Sequence, residues 1–277
     1  MDETQPFKVY GKKESQNSSL IVGWSEDAAN LGTNVVDYLN KKLSTEELGE
    51  IEPMDFFPLG GVSVENDIAQ FPESKFYCSY EKNLVILRSN APRAEWHKFL
   101  NSVLDMAEHY CHVKELYTIG GMVSLSAHTT PREILAVSNL PQIRNALGQY
   151  HLDRSMDYET TPGQRPTLSS FLLWVAKNRD IPAVSLWVPI PFYLLATEDV
   201  AACRKVIDFF DKRLDLGIDL KELDEAAARQ NEKLADIRFS FPDIDGYIKN
   251  LESNITLSQE DTEKLAKDIE EYLRRID

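Results

Sequence analysis

The sequence predicts an α/β fold: a largely parallel or mixed sheet covered by helices on both faces, with a helical C-terminal region beyond it. Three observations carry the prediction. Short apolar runs of strand length, such as Leu20-Ile21-Val22 and Leu84-Val85-Ile86-Leu87, are continuous rather than alternating, the pattern of strands buried on both faces. Between them lie segments whose apolar residues recur every three or four positions, as amphipathic helices require. After Asp219 the strand-like runs stop and only helical periodicity remains, which sets expected domains of 1–218 and 219–277.

Taken in order, residues 1 to about 17 are polar, with one alternating patch at Phe7 and Val9 that reads as an edge strand or as disorder. Ser19 to Val36 reads as strand, turn and helix, the turn lying at Gly23-Trp24 with two acids after it. Leu31, Val35, Leu39 and Leu43 form the buried stripe of that helix, and Gly32 on the stripe implies a close approach to the sheet. Residues 50 to 80, with Pro53, Pro58, Pro72 and Gly60-Gly61, read as a winding excursion holding one or two short strands. Leu84–Leu87 is the next strand, and Trp96, Phe99, Leu100, Val103, Leu104, Ala107 and Cys111 trace a helix. Strands follow at Leu116–Ile119, ending in a Gly120-Gly121 turn, and at Ile134–Val137, with a short helix near Leu140 to Leu147. A loop containing TTPGQRP leads to a helix over about 167–177 and to a strand over 183–188 closed by Pro189 and Pro191. Thr197 with Glu198 and Asp199 caps a helix whose end is marked by Gly217. The C-terminal region carries three more helices, the last capped by Ser258 with Asp261 and presenting Leu265, Ile269, Tyr272 and Ile276.

Composition narrows the function. The 277 residues, 43% hydrophobic and 27% charged, suffice for a large core. A net charge of -15 opposes nonspecific binding to nucleic acid or to anionic membranes, since both rely on Lys and Arg. The N-terminal residues lack the apolar core of a signal peptide and the Arg-rich character of a transit peptide, so a cytoplasmic location is expected. Cys78, Cys111 and Cys203 are far apart and odd in number, which fits buried thiols rather than disulfides or a CxxC metal site.

Candidate chemistry is sparse. His109 and His112 share a helix face, but it is the face opposite the apolar stripe, so exposure is expected rather than metal binding. Ser124 or Ser126, with His128 and a carboxylate such as Glu133, could be drawn as a hydrolytic triad, yet no GxSxG elbow accompanies them and their spacing suits turn structure better. Neither GxGxxG nor GxxxxGK[ST] occurs. What remains is a set at the carboxyl ends of strands, Gly23, Glu26, Asp27, Gly120, Gly121, Gln164 and Arg165, where open α/β sheets bind ligands or partners. No catalytic residue, metal or cofactor is assigned from these patterns. Aromatic residues in loops, Phe56, Phe57 and Phe192, are expected at the surface and suited to self-association.

The segments LIVGWSEDAANLGTNVVDYL, LYTIGGMVSLSAHTTPREILAVSN and PTLSSFLLWVAKNRDIPAVSLWVPIPFYL resemble the PAC2 family of proteasome assembly chaperone 2 relatives, most closely its bacterial branch, over roughly residues 18–235. The resemblance implies a three-layer α/β/α sandwich akin to the phosphorylase/hydrolase-like fold, frequent homo-oligomers and no agreed catalytic residues. It implies a non-enzymatic interaction or assembly-chaperone protein with protein partners, itself included, and admits proteasome subunits among them. Family members that dock on proteasomes do so through a C-terminal hydrophobic-Tyr-any tripeptide; here Arg275-Ile276-Asp277 stands in its place, so that docking route is not expected. The alternative is a small-molecule enzyme, hydrolase or phosphorylase-like, using the cleft near Glu26, Asp27, Gly120 and Arg165.

Overall fold

The computed structural model describes residues 6–10, 17–25, 27–57, 62–154, 156 and 163–276. Along the chain the first half runs β1 (Phe7–Val9), β2 (Ser19–Trp24), α1 (Leu31–Leu43), β3 (Glu46–Ile51), β4 (Ser63–Glu65), β5 (Ile68–Gln70), β6 (Ser74–Ser79), β7 (Leu84–Ser89) and α2 (Trp96–Cys111). Then come β8 (Glu115–Ser124), β9 (Leu135–Ser138), α3 (Pro141–Ala146), α4 (Leu168–Lys177), β10 (Ala183–Pro191) and α5 (Val200–Leu214). Three helices close it: α6 (Lys221–Ser240), α7 (Pro242–Glu252) and α8 (Gln259–Ile276).

Eight of the described strands form one sheet in the order β1-β3-β6-β7-β2-β8-β10-β9, while β4 and β5 pair separately. The sheet is mixed. Around β2 the pairing is parallel, Val22 lying opposite Leu87 on β7 and Thr118 on β8. On the other arm β1, β3, β6 and β7 pair antiparallel in succession. The expected excursion over 50–80 therefore holds more strand than its prolines suggest. β6 and β7 are joined by only Tyr80–Asn83, a connection too short for a parallel crossover. The weak edge patch at Phe7 and Val9 is strand β1, bound at the rim of this arm.

Backbone contacts divide the chain into two compact units, one of Met1–Glu26, Gly32–Gly120 and Leu135–Leu186, the other of Asp27–Leu31, Gly121–Ile134 and Trp187–Asp277. In the first, side chains of successive strand residues point to opposite faces. Leu20 and Val22 of β2, with Val85 and Leu87 of β7, share one buried cluster with Phe99, Leu100 and Val103 of α2 and Leu172 and Val175 of α4. On the other face Gly23 lies beneath Gly32 of α1, where an added Cβ would overlap the Gly32 carbonyl oxygen and press on Val36 Cγ1 at 2.8 Å. Helix layers thus cover both faces, and Gly32 serves the close approach its place on the stripe implies.

The second unit gathers α5 to α8. Asp199 caps α5 by accepting a hydrogen bond from the Ala202 amide at 3.0 Å. Ser258 caps α8, its Oγ accepting from the Asp261 amide at 3.1 Å while donating to Asp261 Oδ2 at 2.7 Å. α8 packs on the Phe192–Leu194 turn and on α6 and α7. Its buried stripe is Leu265, Ile269 and Leu273, with Tyr272 turned aside to meet Phe241 edge-on at 4.8 Å. Leu273 thus stands in the stripe where Tyr272 is expected, and the Ile276 side chain lies outside what is described. Two other expectations are corrected: Phe56 and Phe192 are buried, not exposed, Phe56 lying 5.1 Å from Phe99 in the core of the first unit.

Candidate functional site

The glycine pair expected to form a turn is strand. β8 continues through Gly120 and Gly121 to Ser124, and β2 runs through Gly23 to Trp24. Gly23 pairs with Ile119, which places Gly120 one residue further along the adjacent strand. Gly121 is needed for room: a Cβ there would overlap the Ala28 carbonyl oxygen. Likewise β10 includes the prolines thought to end it, since a proline removes one donor while its carbonyl still accepts.

Asp27 works on the same stretch of backbone. Its Oδ2 accepts the Gly121 amide proton at 2.7 Å, so this carboxylate ties the Ala28–Asn30 turn to β8. Gln164 and Arg165 are exposed, just before Thr167, which caps α4 by accepting from the Ser170 amide at 3.1 Å. The Arg165 guanidinium lies 5.9 Å from the centre of the Trp96 ring on α2. Glu26 falls outside the described residues. Of the strand-end set, then, Asp27 meets Gly121, Gly23 and Gly120 sit on neighbouring strands, and Arg165 is held by an aromatic face.

A second constellation, in the second unit, joins residues far apart in sequence. The His128 amide donates to the Tyr193 hydroxyl oxygen at 2.6 Å, and His128 Nδ1 lies 2.9 Å from the same hydroxyl. The hydroxyl oxygen thus accepts from the amide, and it holds the imidazole either by donating to a bare Nδ1 or by accepting from Nδ1–H. Burial, reinforced by the positive charges of Arg238 and Arg132, pushes the His128 pKa down to about 4. Burial likewise pushes the Tyr193 hydroxyl up, so the phenol stays protonated.

Beneath them Arg132 and Asp199 form a buried ion pair at 2.8 Å, their side chains 5% and 1% exposed. Arg238 bridges Asp245 at 2.9 Å and Glu252 at 2.6 Å, and Thr129 donates to Glu252 at 3.0 Å. His128, Thr129, Asn231, Ala235, Arg238, Phe239 and Asp245 line an open cleft of about 670 Å³. Tyr193 lies in the turn after β10, but its link to His128 spans 65 residues and no local pattern announces it.

The drawn triad does not assemble. Ser124 and Ser126 bond to each other at 2.9 Å, and the His128 Nδ1 is taken by Tyr193. His109 and His112 are exposed, and no group of three metal-type ligands occurs among the described residues. Cys78, Cys111 and Cys203 are buried thiols, and burial drives Cys111 up to about 12.

The described surface also carries an apolar arm. β4 and β5 pair as Ser63–Gln70, Val64–Ala69 and Glu65–Ile68, joined by Asn66 and Asp67 at φ 50° and 63°. Two consecutive residues of positive φ make the type I′ turn that suits a two-residue hairpin. Val64 and Ala69 share one face, which Val62 and Phe71 extend, and all four are exposed. No helix among the described residues is long and apolar enough to cross a membrane.

The fold and these surfaces define an α/β protein whose polar clusters brace its backbone and whose hairpin offers apolar surface. The PAC2 family model matches residues 20–238, and the chain belongs to that family. Solved structures share the fold at low identity. A PAC2 family protein from Streptomyces avermitilis is 22% identical, with 83% of this chain and 100% of that one covered at a TM-score of 0.66. The Mycobacterium tuberculosis proteasome-assembly chaperone homologue Rv2125 is 16% identical, covering 78% and 94% at 0.65. Pyrococcus furiosus PbaB, an archaeal proteasome activator, is 18% identical, covering 84% and 98% at 0.64. No curated protein matches the sequence significantly.

Proposed function

We propose that this chain is a non-enzymatic PAC2 interaction protein of the cytoplasm, an assembly-chaperone-like factor whose partners are proteins, a second copy of itself among them. The observation that carries this reading is the β4–β5 hairpin. A two-stranded hairpin is marginal alone in water, and here its apolar face lies open with Val64 and Phe71 each 69% exposed. Such a face is best understood as one that another protein covers. Membership of a family that includes a proteasome-assembly chaperone homologue and a proteasome activator among its structural neighbours supports the class of role, with proteasome subunits as candidate partners. In this reading the strand-end residues Gly23, Glu26, Asp27, Gly120, Gly121, Gln164 and Arg165 shape backbone and contact surface and perform no chemistry.

The test is affinity purification of the tagged full chain from its native host, beside a Val64→Ser/Phe71→Ser variant with the same melting curve. Protein partners that co-elute with the wild type in near-stoichiometric amount and are lost with the variant support the reading. A thermal-shift screen of nucleotides, nucleosides and amino acids is its counterpart. Stabilisation of the wild type by one of them, abolished by Asp27→Ala/Arg165→Ala, would replace this proposal with the enzyme.

A further inference from the structure

Within the second unit, the start of α7 and one face of α8 border a pocket of about 440 Å³, a size at which ligands are commonly bound. Phe241, Pro242, Ile244 and Tyr272 give it an apolar wall, in which Tyr272 meets Phe241 edge-on at 4.8 Å and Ile244 is buried. Phe241 is 36% exposed and Tyr272 half-buried, so aromatic surface stays open to an incoming group. Rings favour offset and edge contacts with one another, and a third ring can extend such a pair.

The rim is acidic on balance: Asp243, Asp268 and Glu271 line the pocket against Lys264 and Arg275. Lys264 lies 3.6 Å from Asp243 and Arg275 lies 3.7 Å from Glu271. All four side chains are about half exposed or more, where an ion pair is worth little and yields to a competitor. The half-buried Asp268 acts on the same Lys264 ammonium and makes no ion pair of its own among the described residues. One carboxylate thus remains over after both pairings, in a chain whose net charge is -15. We propose that this pocket binds a basic segment of a partner protein. One aromatic side chain of that segment seats against Phe241 and Tyr272, and flanking lysines or arginines meet Asp268 and the exposed carboxylates of Asp243 and Glu271. The inference rests on the protein-binding reading above, but on a surface of the second unit rather than on the hairpin.

The test is a titration of the isotope-labelled full chain, read by NMR of its backbone amides, with three end-blocked tripeptides: Lys-Trp-Lys, Glu-Trp-Glu and Lys-Ala-Lys. At millimolar concentration Lys-Trp-Lys is expected to shift amides of the pocket-lining residues on α7 and α8. The Glu-flanked peptide should bind about tenfold more weakly and the Ala peptide about fivefold more weakly. Asp268→Asn and Tyr272→Leu, each with the melting curve of the wild type, should weaken Lys-Trp-Lys about fivefold. Equal affinity for the Lys- and Glu-flanked peptides overturns the assigned partner chemistry. Shifts that ignore both variants, or that never appear at the pocket, overturn the site. Val64→Ser/Phe71→Ser should bind Lys-Trp-Lys as the wild type does, and a weaker affinity there would move the peptide off this pocket. Loss of the hairpin's partners and loss of this peptide are therefore separate results.

Discussion

Replacing Arg132 by methionine removes the guanidinium and keeps most of the side-chain volume. Asp199, 1% exposed, would then hold a carboxylate with its cation gone, retaining the Ala202 amide that it caps. The Thr130 carbonyl would lose its 2.7 Å donor as well, and the His128 carbonyl a longer one at 3.3 Å. Breaking a buried pair from one side costs roughly 3–5 kcal/mol, because an uncompensated buried charge remains. For a chain of this size that corresponds to a fall in melting temperature of about 10 °C. Asp199→Asn removes the charge while keeping a good N-cap, so the double variant should be more stable than the sum of the two single losses by about 2 kcal/mol. Urea denaturation followed by circular dichroism supplies the four corners of the cycle, with equal m-values as the check that a single transition is compared. A loss below about 1 kcal/mol for Arg132→Met, or strict additivity in the cycle, would refute the view that this pair braces the His128 loop against α5.

Three further outcomes are expected. Gly23→Ala and Gly121→Ala, which drive a Cβ into the carbonyls of Gly32 and Ala28, should each lower the melting temperature markedly, whereas Gly246→Ala in α7, with nothing within 4 Å, should raise stability by up to about 1 kcal/mol. Because the unfolded chain binds a proton at His128 near the ordinary value of 6.5 while the folded chain binds it only near 4, stability falls as pH drops from about 6.5 to about 4. Discounted for partial exposure, the loss is about 1–2 kcal/mol, and it should be absent in the pH series of His128→Gln. A chain ending at residue 257 loses the buried Leu265, Ile269 and Leu273, worth roughly 2 kcal/mol each, and bares the Phe192–Leu194 turn. It should melt at least 10 °C lower or precipitate, and an unchanged melting curve would show that α8 is dispensable to its unit.

The parts legible in the sequence are those where burial is one-dimensional. Leu84–Leu87 is apolar at every position because β7 is covered on both faces, and the Trp96–Cys111 stripe repeats because α2 is covered on one. β3 escapes the same test. Its Glu46 and Glu47 are exposed and only Leu48, Gly49 and Ile51 face inward, so an edge-side strand of sequence EELGEI carries neither a continuous run nor clean alternation. Gly120-Gly121 misleads for a related reason. Paired glycines in isolation mean a turn, but here they lie within a strand, Gly121 beneath the Ala28 carbonyl where no side chain fits, and only the packed structure tells the two apart.

The same distinction separates the two candidate regions. The sequence marks Asp27 as a candidate ligand or partner residue, and no local pattern foretells that its Oδ2 accepts the Gly121 amide proton 94 residues away. The His128–Tyr193 and Arg132–Asp199 links each cross more than sixty residues and depend on the second unit closing. Their polar atoms are engaged by partners of the same chain: Nδ1 by a phenol, the guanidinium by a carboxylate and two carbonyls. Groups engaged in this way hold the loop that carries them. What the described surface offers instead is exposed apolar area, on the hairpin at Val64 and Phe71 and elsewhere at Met54 and Phe239. Those surfaces, rather than the polar clusters, are where the energetics direct the search for partners.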